Sequence, residues 1–106
     1  MRKATIGEMR QRITFQEKVE VDDGHHGHNV TWKDVATVWA SVEPISGREY
    51  FYAHQISTEV THRVRVRYRE GLTTEMRIKL GERILGIDSI LDLGEQRKIL
   101  EIFCKE

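Results

Sequence analysis

THRVRVRYRE, residues 61–70, sets four arginines at positions 63, 65, 67 and 69, with Val64, Val66 and Tyr68 between them. Val60 and His62 carry the same alternation backwards. A side-chain period of two is that of a β-strand, with apolar groups on one face and guanidiniums on the other. The fold is therefore expected to rest on strands with one buried face. Function is expected to show in what the cationic face is for.

Working outward, the same period recurs. RITFQEKVEV, residues 12–21, alternates Ile13, Phe15, Val19 and Val21 against polar neighbours and reads as a first strand. DDGHHGHN, 22–29, is a polar loop with glycine and no periodicity. The stretch 31–44 resumes the pattern: Val38, Ala40 and Val42 point one way, and Trp39 points the other and needs its own cover. Ser46 followed by Glu49 is a capping-box pattern, which predicts a short helix over about 46–56 that must dock on the sheet to persist. Strands are then predicted over 60–69, 75–80, 83–91 and 97–105, with turns at 70–74 and 92–96. Gly81-Glu82 is a two-residue connection with glycine first, as a type II′ hairpin prefers. The expected fold is mainly β: a small barrel or sandwich of about six strands, one short helix and long loops.

The 106 residues are expected to form a single domain over 1–106, with residues 1–8 as a flexible N-terminus. Lysine plus arginine total 17 and aspartate plus glutamate total 17, so the net charge is zero. Attraction to a partner must come from how charge is arranged, because its sum offers none. One cysteine, Cys104, excludes an internal disulfide and, beside the apolar Ile102 and Phe103, reads as a small core residue suited to a reducing compartment. No run approaches the roughly 18 apolar residues of a membrane span, and the N-terminus lacks the apolar segment of a signal peptide. A soluble intracellular chain is expected.

The arginine row admits two readings. It can be a solvated face neutralised by acids on neighbouring strands, or a surface that needs an outside counter-charge. A symmetric hairpin through 70–74 would set Arg69 against Glu75, Arg67 against Arg77 and Arg65 against Lys79. Val64, Val66 and Tyr68 would then meet Leu80, Ile78 and Met76. Like charges directly opposite one another destabilise a sheet. Asp88 would be the one acid on that face of the following strand, beside Ile84, Gly86 and Ile90. On that register Arg63, Arg65, Arg67, Arg69, Arg77 and Lys79 form a candidate interface or DNA-channel face. Aromatic rings are not expected on it, and the chain is not basic overall, so a dedicated nucleic-acid module is the weaker reading.

Catalytic and metal patterns are thin. Gly24-His25-His26-Gly27-His28 invites a metal hypothesis, but three histidines crowd one loop with no cysteine near in sequence, and no metal site is expected. His54 and His62 fall on expected apolar faces, where packed histidines are common. No phosphate loop, nucleophile motif or carboxylate pair stands out, so neither an enzyme nor a cofactor is expected.

The order of several phrases says more. M-R-Q-R-I-T-F-Q (9–16), W-K-D-V-A-T-V-W-A-S-V-E (32–43), P-I-S-G-R-E-Y (44–50), T-H-R-V-R-V-R-Y-R (61–69) and M-R-I (76–78) follow one another in a spacing that resembles the head–tail joining, or head-completion, proteins of tailed phages and prophages. The resemblance runs from about Gly7 to Cys104. It implies a structural, β-barrel-like connector subunit of the stopper type that forms a ring, a dodecamer on the particle, beneath the portal of a DNA-filled capsid. Its partners would be copies of itself, portal and adaptor proteins, a tail-completion or tail protein, and packaged DNA in the channel, with no membrane. Its place would be the head–tail interface of the virion, after assembly in the host cytoplasm. The arginine face would then pair with acidic neighbours, meet the adaptor, or line the channel. Changing Arg65 and Arg67 together to glutamate would, on this reading, spare the fold and abolish assembly. A small nucleic-acid-binding barrel is the alternative, and a generic interaction domain a further rival.

Overall fold

The computed structural model describes residues 9–22, 28–45 and 59–106. The helix expected at 46–56, with His54, lies outside the described residues, as do residues 1–8 and the centre of the histidine loop. Among the described residues there are six strands: β1 (Gln11–Asp22), β2 (His28–Pro44), β3 (His62–Arg67), β4 (Arg77–Leu80), β5 (Arg83–Asp92) and β6 (Ile99–Lys105). A 3-10 turn, Leu93–Glu95, joins the last two. All pairings are antiparallel, in the order β1-β2-β3-β6-β5-β4, and β4 returns to β1 to close a barrel.

Closure follows from which face each strand buries. Ile13 and Phe15 of β1, Val64 and Val66 of β3, Ile78 of β4 and Ile102 of β6 are all at most 1% exposed. They meet inside one core with Ala40, Leu85, Leu100 and Cys104. Each large side chain so removed from water contributes about 1.5–3 kcal/mol. Trp39 points outward, as its place between Val38 and Ala40 requires, and is 53% exposed. Gly81 takes φ +61 while Glu82 does not enter the left-handed region, the sequence of conformations a type II′ turn needs between Leu80 and Arg83.

Two bulges break the strict alternation. Phe15 faces Ala36 but Gln16 faces Asp34, so Val35 is an extra residue in β2. Phe15 and Gln16, neighbours in sequence, are both buried there. On β5, Ile87 faces Cys104 and Ser89 faces Phe103, leaving Asp88 as the extra residue. An unpaired residue resets which side later residues take. Ile90 therefore packs against the core, contrary to the expectation that it shares the outer side with Ile84 and Asp88.

The expected β3–β4 hairpin is not formed. β3 lies between β2 and β6, and β4 lies between β1 and β5, three places away around the six-stranded closure. Tyr68 donates its N–H to the Lys98 carbonyl at 2.9 Å, which keeps the chain beside β6 past the end of β3. Residues 69–76 then cross the barrel, with Gly71 at φ +89 and Leu72 packed against the core. Val64 and Ile78 thus belong to one core from opposite walls, and no arginine of β3 faces a cation of β4.

Cys104 is fully buried, and desolvation, helped by the charge of Asp88, pushes its thiol up to about 12. Only the thiolate reacts, so roughly one thiol in several thousand is competent at pH 8.5. Iodoacetamide is expected to label the native protein far more slowly than the urea-unfolded chain. Equal rates, read by mass spectrometry, would show that the β5–β6 wall opens freely.

Candidate functional site

The pairing of β3 decides the fate of its arginines. Arg63 stands opposite Glu43 of β2 and forms an ion pair with it. Arg65 stands opposite Glu101 of β6, and its Nε and Nη2 both reach Glu101 Oε2 at 2.9 Å. Arg65 is 7% exposed and Glu101 4%, so this pair is out of water although it lies on the outer side of the barrel wall. Ser41, also buried, flanks Arg65 on the β2 side, and its hydroxyl donates to Glu43 Oε1 at 3.5 Å. Two of the four guanidiniums are therefore neutralised by acids on adjacent strands.

Arg67 and Arg69 have another setting. Both are exposed, and they line a groove of about 720 Å³ together with Arg10 and Arg12. Met9, Val38, Trp39 and Tyr68 supply its apolar surface. Tyr68 is half-buried against the core, which fixes one wall. Arg12 and Trp39 are directly opposed across β1–β2, and the Arg12 guanidinium lies 4.8 Å from the indole centroid. That contact is the cover Trp39 needs, and it holds the cation over the ring.

Arg77 occupies a third place, at the foot of a two-stranded arm. Its Nε donates to Gln16 Oε1 at 2.8 Å, and Gln16 Nε2 donates to Asp34 Oδ1 at 2.8 Å. The Trp32 ring centroid lies 4.1 Å from the Arg77 guanidinium carbon. This relay ties β1, β2 and β4 where the bulge at Val35 lets the arm leave the barrel. Beyond it, residues 17–22 pair only with 28–33, and the molecule measures 53 × 28 × 26 Å. Lys79 is exposed on the outer side of β4, between Thr14 and Ile84.

The six cations expected on one face are thus distributed over separate places. Arg67 and Arg69 share the groove, Arg63 and Arg65 are paired within the sheet, and Arg77 and Lys79 belong to the opposite wall. Sequence reasoning missed Arg10 and Arg12, which complete the groove, and Glu43 and Glu101, which neutralise its neighbours. The outward Trp39 was the signal for Arg12, readable only with the β1–β2 register in hand. Among the described residues, no group of three or more histidines, cysteines and acids is placed to hold a metal.

The described residues thus form a small closed barrel with a projecting arm and an amphipathic groove. Residues 4–106 match the model of the phage head completion proteins, and the chain belongs to that family. It is 35% identical over 95 residues to the head completion protein gp16 of Bacillus phage SPP1, covering 89% of this chain and 87% of that protein. Among solved structures it resembles the solution structure of protein SF1141 from Shigella flexneri 2a, with TM-score 0.76, 32% identity and coverage of 97% of this chain and 96% of that one. It also resembles a chain in the virion of a native gene transfer agent particle, with TM-score 0.65, 26% identity and coverage of 90% and 91%. The family is a structural one, and the chain is a structural component of a phage-type particle.

Proposed function

We propose that this chain is a ring-forming subunit at the head–tail interface, docking beneath the portal complex, helping to retain packaged DNA and presenting the surface to which a tail attaches. The observation that carries this reading is the family match over residues 4–106, nearly the whole chain. The architecture supports it: the arm and groove that project from the closed barrel offer surfaces for contacts repeated by symmetry. A dodecamer on the particle, matching the portal, would let individually weak contacts add through multivalency. The partners are then other copies of the chain, portal or adaptor proteins and a tail-completion or tail protein. Assembly takes place in the host cytoplasm. Of the six cations singled out in the sequence, Arg67, Arg69 and Lys79 are the exposed ones, and within such a ring they would meet DNA or acidic neighbours. Residues 1–106 work as one domain.

Deletion of the gene followed by induction of the phage tests this directly. Negative-stain microscopy is expected to show heads that have lost DNA and tails that stand unattached, with joined particles restored by a plasmid copy. Normal numbers of joined, DNA-filled particles from the deletion would overturn the reading.

A further inference from the structure

We propose that the groove between the start of β1, the middle of β2 and the end of β3 is a docking site for an acidic peptide segment of a partner protein, one that places an aliphatic or aromatic anchor between carboxylates. The site is a binding chemistry of the folded chain and stands whether or not a ring forms.

Its chemistry is two-layered. Val38, Trp39 and Tyr68 give an apolar surface inside a concavity of about 720 Å³, within the ~300–1,000 Å³ range in which a pocket buries most of a ligand of modest size. Arginine side chains edge that surface, and no carboxylate lines it among the described residues. Arg67 and Arg69 form no ion pair among the described residues, whereas Arg63 and Arg65 of the same strand each have an acid opposite. The chain is neutral overall, so this concentration of cations is local and is not the overflow of a basic protein. Arg12 is already ordered by Trp39, which lowers the entropy lost when a carboxylate binds it. Guanidiniums take carboxylates in bidentate geometry, and an apolar anchor on the floor would exclude water from those bonds.

Nucleic acid shares the charge but fits the floor less well. Single-strand binding wants aromatic faces open to stack bases. One face of Trp39 carries the Arg12 guanidinium, and Tyr68 packs against the core. Charge complementarity with an apolar anchor therefore favours a peptide.

The two tryptophans make the test selective, because Trp32 lies at the foot of the arm and Trp39 in the groove. The intact, 15N-labelled protein would be titrated with acetyl-EDLEELLDEE-amide while both indole N–H signals are followed by NMR. The Trp39 signal is expected to move in a saturable way while that of Trp32 stays in place. Arg67→Glu with Arg69→Glu, both exposed, should weaken binding about tenfold or more with an otherwise unchanged spectrum. The same peptide with serine for leucine should bind markedly less well. A Trp39 signal unmoved at about 1 mM peptide, where a dissociation constant tighter than millimolar would register, overturns the proposal. So does equal binding of the serine peptide, which would leave the apolar floor without a role. Tighter binding of a ten-residue oligothymidine would also overturn it and make the groove a nucleic-acid site.

Discussion

Glu101→Ala is expected to cost about 3–5 kcal/mol of stability, because it leaves the Arg65 guanidinium buried without its counter-charge. The carboxylate it loses receives both Arg65 nitrogens, and both residues are almost wholly out of water. Native domains are stable by only about 5–15 kcal/mol, so one such change takes a large share of the margin. Replacing the pair together, Arg65→Met with Glu101→Leu, should recover most of the loss, since an apolar pair of similar size needs no desolvation of charge. Urea unfolding of the two variants and the parent checks this. If Glu101→Ala loses less than about 1 kcal/mol, the pair is effectively solvated. The same geometry corrects the expectation that glutamate at 65 and 67 spares the fold. Arg65→Glu would put two carboxylates in a buried site, and failed assembly would then report unfolding. Arg67 with Arg69 is the combination that probes surface contacts.

The second large effect lies at Phe15. It is fully buried in β1 opposite Ile78 of β4, across the pairing that closes the barrel. Phe15→Ala is expected to destabilise by about 3–5 kcal/mol, through lost transfer energy and the cavity left behind. Trp39→Ala, although it deletes a larger ring, should cost well under half as much, because that ring is half in water. Thermal melts of the two variants would rank them. The reverse order would mean that Trp39, and not Phe15, anchors the wall.

Local pattern carried much of the fold. The alternation at 12–21, 31–44 and 62–67, and the glycine-first turn at 81–82, were all legible because each depends on a few adjacent residues. What failed was pairing. Sequential strands neighbour one another about two times in three, so a hairpin through 70–74 was the natural reading of Glu70-Gly71. The alternative required seeing that Glu43 and Glu101 occupy the outward positions of β2 and β6 that best match Arg63 and Arg65. That is a match between segments 20 and 36 residues distant, which periodicity cannot rank. The bulge at Asp88 was equally hidden, since one inserted residue leaves the composition of β5 unremarkable while reversing the side that Ile90 takes. The groove was half legible: Arg67 and Arg69 were visible as cations, but their company with Arg12 and Trp39 arises only when the barrel closes.

The way the barrel closes has a consequence in time. β4 joins β1 through three facing residues, Thr14, Phe15 and Gln16, and the Gln16–Arg77 contact spans 61 residues of chain. The β1–β2 and β4–β5 ladders are local and can form within microseconds, whereas distant pairings pay a loop-closure cost first. A newly synthesised chain would therefore carry a β1–β2 hairpin and a β4–β5–β6 meander, both with bare edges, until β3 finds β6 and β4 finds β1. During that interval Phe15 and Ile78 face solvent, and crowding among many copies made at once would turn the same surfaces toward aggregation. The rate of this last joining step then sets how long those surfaces stay exposed.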